Sequence, residues 1–142
     1  MTDTAPTLLD VDHVHVYVND RAAAERWYGD VLGLRRVEEL EQWATDRGPL
    51  TIANPSGTVH IALFERPAQV QKRHSTIALS VTGRDFAAWK RHLEAALGQA
   101  PDVVDHDLSL SMYFTDPDGN PYEITTNDHE SARAVVGDTH PG

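Results

Sequence analysis

The sequence contains no cysteine among its 142 residues, which excludes disulfide bonds and thiolate metal ligands. No apolar run approaches the ~20 residues of a membrane-spanning helix, and the N-terminal "MTDTAPTLLD" lacks the basic and apolar regions of a signal peptide. Basic residues are scarce: 12 lysines and arginines stand against 22 acidic residues, for a net charge of −10. An acidic surface repels phosphate backbones and favours cationic partners. We therefore expect a cytoplasmic protein that binds neither nucleic acid nor membranes.

The hydrophobic pattern of the first half predicts one helix and four strands. Residues 9–18 alternate as in a half-buried strand, and "RAAAERWYGDVLG" has the periodicity of a helix that begins after Asp20 and ends at Gly33. The segments "LRRVEELEQW", "LTIA" and "TVHIALF" follow as three predicted strands.

The second half repeats this order at an offset of about 63 residues. "STIALSV" predicts a strand, "GRDFAAWKRHLEAALG" a helix that ends at Gly98, and "DVVDH", "LSMYF" and "YEITT" three strands. "DPDG" at 116–119 predicts a hairpin turn in which Gly119 takes a positive φ. Each half is too small to bury a core alone, so the halves must pack together. The predicted units are an N-terminal tail (1–8), two modules (9–64 and 74–126), a linker (65–73) and a frayed polar C-terminal tail (127–142).

Three stretches of the sequence resemble the vicinal oxygen chelate superfamily, which includes glyoxalase I, extradiol dioxygenases, and fosfomycin and bleomycin resistance proteins. They are "HVHVYVND…WYGDVLGL" at 13–34, "IALSV…AAWKRHL" at 77–93 and "YFTDPDGNPYEI" at 113–124. The resemblance covers roughly residues 9–126. It implies an α+β fold, in which two βαβββ modules pack around a shared cavity.

The resemblance also implies metal ligands on the first and last strands of the modules. By position these are His13 and Glu123, whereas Ala62 occupies a third ligand position and cannot bind a metal. A fourth position, usually histidine, holds Thr76; His74 lies two residues upstream and replaces it only if the strand shifts or bulges. Two histidines and a carboxylate suit Fe2+, Mn2+ or Zn2+. We expect no organic cofactor.

Further polar residues are candidates for contact with a substrate. Tyr113 stands where ring-cleaving dioxygenases carry an active-site tyrosine, and His60 and His106 lie in segments similar to those that bear catalytic histidines in such enzymes. His15 shares a strand face with His13. With Ser111, it is a candidate for binding the substrate.

Two functions remain open from the sequence. The first is a metal-dependent enzyme that acts on a small oxygenated molecule, most similar to an extradiol dioxygenase; Tyr113, His60 and His106 favour it. The alternative is a metal-free protein of the bleomycin-resistance type that sequesters a small molecule, favoured by Ala62, Thr76 and the acidic charge. In either case we expect a homodimer, with modules paired within one chain or across two.

Overall fold

The computed structural model describes residues 4–71, 75–137 and 139–142 as two β-sheets with three α-helices. Two short 3-10 helices, Glu38–Trp43 and Pro67–Gln69, lie in the connections of the first half. The other elements, in chain order, are β1 (Val14–Val18), α1 (Arg21–Leu32), β2 (Arg35–Arg36), β3 (Leu50–Ala53), β4 (His60–Glu65), β5 (Ile77–Ser80), α2 (Gly83–Leu97), β6 (Val103–Asp105), β7 (Leu110–Thr115), β8 (Pro121–Thr126), α3 (His129–Val136) and β9 (His140–Pro141).

The ends of the two long helices are set by local sequence, as predicted. The Asp20 side chain accepts a hydrogen bond from the backbone N–H of Ala23 at the start of α1, and Gly33 ends that helix with a φ of 69°. Thr82 and Gly98 have the same roles at the two ends of α2. The hairpin turn also agrees with expectation, since Gly119 has a φ of 85°.

The two halves share one sheet topology. In sheet A the strand order is β1-β4-β3-β2, and in sheet B it is β5-β8-β7-β6, extended at the β6 edge by β9. In each sheet the first and fourth strands of the module run parallel, and the remaining pairs within the module are antiparallel. The α+β fold with a repeated strand–helix–strand–strand–strand unit is therefore confirmed.

Two sequence predictions about secondary structure are wrong. Residues 34–43 do not form one strand, because only Arg35–Arg36 pairs with β3 and Glu38–Trp43 is a 3-10 helix. The C-terminal tail is not frayed at 129–136, where α3 buries Ala132 and Val136. His129 at the start of α3 lies 2.8 Å from a carboxylate oxygen of Asp105, so a polar contact holds this helix beside β6.

A buried polar cluster joins the first helix to the second sheet. The Tyr28 hydroxyl donates to Asp116 at 2.6 Å and lies 2.8 Å from the Tyr122 hydroxyl. The Asn120 side-chain amide donates to Asp116 at 2.7 Å and to the Tyr17 carbonyl at 3.3 Å. Burial, together with the Tyr122 and Asp116 side chains, raises the pKa of Tyr28 far above its usual value. The phenol therefore remains a hydrogen-bond donor at any ordinary pH.

Each sheet has a back face in the core and a front face that bears polar side chains. The back face of sheet A includes Val16, Val18 and Leu63, and that of sheet B includes Met112 and Ile124, all of them buried. Because side chains alternate along a strand, the neighbouring residues lie on the front faces. None of the helices in the described ranges combines the length and apolar character needed to cross a bilayer.

Candidate functional site

The front face of sheet A carries a pair of histidines. The Nε2 atoms of His13 and His15 are 3.1 Å apart, and their rings are nearly parallel, with 21° between the planes. His13 Nδ1 lies 2.6 Å from a carboxylate oxygen of Asp12, and this contact lowers the pKa of Asp12. Because an ionised carboxylate can only accept, His13 donates its Nδ1–H to Asp12. In neutral His13 the Nε2 lone pair then accepts the Nε2–H of His15.

A 3-10 helix covers part of this face and forms a small pocket with it. The pocket has a volume of about 360 Å³ and includes His13 and His60 among its polar groups. Leu40 and Trp43 of the helix supply apolar walls, and Trp43 remains 51% exposed. The helix and the sheet thus make a cleft of a size that suits a small molecule.

Two arginines hold the segment that follows this 3-10 helix. The Arg21 guanidinium donates to the carbonyls of Ala44, Thr45 and Gly48 at 2.8–3.2 Å. Arg66 donates to the Arg47 carbonyl at 2.5 Å. A Cβ on Gly48 would collide with the Trp43 carbonyl, so the chain closes tightly at this position. The arginine hydrogen bonds and the tight packing at Gly48 therefore hold this wall of the pocket in place.

The front face of sheet B carries a carboxylate and three hydroxyl groups. Glu123 on β8 lies directly opposite Tyr113 on β7, and the Ser111 hydroxyl lies 3.0 Å from that of Thr125. His106 Nε2 is 3.1 Å from the Tyr113 hydroxyl. Partial burial raises the pKa of Tyr113, and the Glu123 carboxylate adds to the effect because it repels a phenolate. Tyr113 therefore stays protonated at neutral pH, with a possible proton partner on one side and a carboxylate on the other.

The structure separates the predicted site residues into two groups. His13, His15 and His60 lie on sheet A, whereas Tyr113, Ser111 and Glu123 lie on sheet B with His106 beside them. Within the described ranges, no three His, Asp or Glu side chains are close enough to hold one metal ion. His74, the other predicted ligand, lies outside the described residues.

The structure also locates Ala62 and Thr76, the two family ligand positions that carry no histidine or carboxylate in this sequence. Ala62 is buried on the front face of sheet A, opposite Thr51. Thr76 is exposed just before β5, two residues from Ala78, which pairs with Glu123. That neither position supplies a strong ligand follows from the two residue types and stays a prediction from the sequence.

A sequence profile described as the Glyoxalase/Bleomycin resistance protein/Dioxygenase superfamily matches residues 10–124. The chain belongs to this superfamily. The metallothiol transferase FosB of Staphylococcus haemolyticus is 24% identical over 137 residues, 92% of this chain and 93% of that protein.

Solved structures of the superfamily share the fold. A glyoxalase family protein from Bacillus anthracis superposes with a TM-score of 0.69 at 20% identity, over 87% of this chain and 99% of that one. A variant of the fosfomycin resistance protein FosX from Listeria monocytogenes, complexed with Mn(II) and 1S,2S-dihydroxypropylphosphonic acid, gives a TM-score of 0.64 at 11% identity, over 89% and 96% of the two chains.

The donor chemistry of this superfamily member suits a divalent metal ion. Imidazole and carboxylate groups are ordinary ligands of Fe2+, Mn2+ and Zn2+, and a ligating histidine usually donates its other N–H to a carboxylate, as His13 does to Asp12. His13 and Glu123 would hold such an ion if the two front faces were brought together.

Sequence reasoning missed three residues of this site. Asp12 was detectable, since it directly precedes His13 in "VDH". Leu40 and Trp43 were not, because their segment is predicted from the sequence as a strand. Their position over the front face is a tertiary feature.

Proposed function

We propose that the protein is a metal-dependent enzyme that acts on a small aromatic molecule with two neighbouring hydroxyl groups, in the manner of an extradiol dioxygenase with dioxygen as co-substrate. One observation carries the proposal: the Tyr113 hydroxyl lies opposite the candidate ligand Glu123 and 3.1 Å from His106. A metal-free binding protein needs no proton-transfer pair beside a metal ligand, whereas an enzyme that must deprotonate a hydroxyl group does.

The residues of the chain have distinct parts in this proposal. His13 and Glu123 would hold the metal, which would draw electron density from the substrate oxygens. Tyr113, kept protonated by burial and by Glu123, donates a hydrogen bond to a substrate oxygen. His106 takes the proton from the substrate hydroxyl and returns it later through the tyrosine contact.

The pocket over sheet A supports an aromatic substrate. Trp43 and Leu40 offer an apolar surface for a ring, and His13 and His60 face the same cavity. The strands that carry the candidate residues contain no lysine or arginine: β1, β4, β5, β7 and β8 read VHVYV, HIALFE, IALS, LSMYFT and PYEITT. A phosphonate needs cationic contacts, which these strands do not supply; the Arg66 guanidinium, directly after β4, lies 5.4 Å from the Phe64 ring on the same face.

We further propose that the active form is a homodimer in which each site takes residues from two chains. The back faces of both sheets pack toward α1, because Tyr28 contacts Tyr122 and Val16 lies in the same core. In this proposal the front faces of one chain point away from each other, in keeping with the finding that the described residues form no cluster of three ligands. A second copy would bring Glu123 of the partner subunit to His13.

Metal content and turnover test the enzyme proposal. The purified protein is loaded with Fe2+ or Mn2+ and assayed for ring cleavage of catechols, and in parallel for thiol addition to an epoxide. Ring cleavage that is lost in Tyr113→Phe supports the proposal. Thiol addition without ring cleavage overturns the dioxygenase assignment, and failure to bind any metal overturns metal dependence and favours the sequestering protein.

A mixing experiment tests the shared site. His13→Ala and Glu123→Ala are unfolded together, refolded and titrated with metal. If each site takes residues from two subunits, one site of every mixed dimer is intact, and about a quarter of the wild-type sites return. Each variant refolded alone is the control and should bind metal no better than background. If the mixture then recovers no binding either, the site belongs to one chain.

A further inference from the structure

His13, directly before β1, and His15, within it, have the spacing of a chelating pair. Metal–imidazole bonds are about 2.0–2.1 Å long, so two nitrogens 3.1 Å apart that bind one ion would make an N–metal–N angle of about 95–102°. That angle lies between the values for octahedral and tetrahedral coordination. The rings of His13 and His15 are already nearly parallel, with their Nε2 atoms together. An ion bound to both nitrogens would replace the N–H···N contact between them, with the His15 proton carried on Nδ1 instead.

The surroundings of the pair also fit metal ligation. Asp12 accepts the Nδ1–H of His13 and leaves the lone pair of that ring on Nε2, the atom that lies next to His15. The ring of His15 packs against Phe64 with 4.7 Å between centroids, which restricts its rotation. One imidazole is thus fixed by a carboxylate and the other by an aromatic ring.

We infer that His13 and His15 are both metal ligands, and that His15 supplies the imidazole that is missing at Thr76. The inference rests on the proposed function, because it concerns the same metal ion. Glu123 of the partner subunit and the substrate would take further coordination positions. The second imidazole then comes from β1 rather than from the start of β5, and the site retains two histidines and a carboxylate.

Cobalt(II) titration of the full-length protein tests this inference without relying on activity. We compare wild type, His13→Gln, His15→Gln and Asp12→Asn, with His140→Gln as a surface control. Loss of an outer contact typically weakens metal binding about 10–100-fold. We expect Asp12→Asn to fall in that range, His13→Gln and His15→Gln to lose more than ~100-fold, and the control to be unchanged.

A spectroscopic count of bound imidazoles separates a ligand from a residue that only positions one. Each histidine bound to Co2+ through one nitrogen gives one paramagnetically shifted N–H proton signal from the other. We expect two such signals in wild type and one in His15→Gln. Wild-type affinity and an unchanged signal count in His15→Gln would overturn the inference and leave metal dependence intact. Failure of the wild type to bind Co2+ would overturn the proposed function as well.

Discussion

The front faces of the two sheets have the same strand order and different chemistry. Sheet A presents imidazoles beneath a 3-10 helix, and sheet B presents a carboxylate and hydroxyl groups. The repeated topology therefore gives the two sheets equivalent front-face positions. The residues at those positions differ, so each sheet offers different chemical groups. Neither face carries a complete donor set, so in our proposal the function depends on how the two faces are brought together.

The covers of the two sheets differ for a reason that lies in the connecting segments. After two residues of β2 the first module turns into a 3-10 helix that lies over the front face. The second module continues into β6, and its additional element α3 packs against α2 rather than over Glu123. The 3-10 helix thus gives the first module a pocket wall, whereas α3 adds buried residues to the core beside the second module.

The largest effect should follow from disrupting the buried polar cluster around Asp116, which joins α1 to sheet B. Asp116→Ala removes the acceptor for Tyr28, Asn120 and two backbone N–H groups in a buried site. We expect the free energy of unfolding to fall by about 3 kcal/mol, because those donors lose their partner. Denaturant unfolding measures the loss. Asp118→Ala, at a more exposed position of the same turn, should cost less than ~1 kcal/mol; equal losses in the two variants would contradict this account.

Removing the cover from sheet A should have the next largest effect. Gly48→Ala places a methyl group against the Trp43 carbonyl and must displace the backbone. We expect a loss of about 1–3 kcal/mol in thermal unfolding, as for other overpacked sites. Gln42→Ala, on the exposed side of the same 3-10 helix, is the matched control and should stay within ~0.5 kcal/mol. If Gly48→Ala has the same melting temperature as the wild type, the segment is not held as tightly as its contacts indicate.

Adding an imidazole to sheet B would make the two faces more alike. Thr76 shares a strand side with Ala78, which pairs with Glu123, so Thr76→His sets a new ligand beside the carboxylate. We expect metal affinity to rise about tenfold, or ~1.4 kcal/mol. Calorimetric titration with Mn2+ measures this change. Ser75→His, one residue away and on the opposite side by alternation, should have no effect; the prediction fails if both variants gain affinity equally.

The smallest effect concerns the electrostatics of sheet B. Burial and the Glu123 carboxylate both raise the pKa of Tyr113. Glu123→Gln removes the charge, so the pKa of Tyr113 should fall toward its usual value. The raised pKa stabilises the folded state fully below pH ~10, and that contribution disappears as pH rises through the folded-state pKa, earlier in the variant. Tyrosine Cζ chemical shifts follow the ionisation. Glu130→Gln is the control, and an unchanged Tyr113 titration in Glu123→Gln would exclude the electrostatic coupling.

Much of the fold could be predicted because short-range sequence patterns determine its strands and helix ends. The alternation of apolar residues along β1, β7 and β8 assigned His13, Tyr113 and Glu123 to the front faces. Capping residues such as Asp20 and Gly33 fixed the ends of the helices. The segment 34–43 was misread because its apolar residues suit either a strand or a helix that packs over a sheet, and only the position of Trp43 distinguishes them.

The sequence by itself determined the repeated module, the side of each strand on which a residue lies, and the absence of a ligand at Ala62. Those properties depend on residue identity and on a spacing of two, three or four positions along the chain. Only the tertiary structure decided that His13 and His15 bring their Nε2 atoms together, that His106 reaches Tyr113, and that no three His, Asp or Glu side chains of the described residues cluster as metal ligands. These relations depend on side-chain rotamers and on packing between elements distant in sequence, which residue order does not specify.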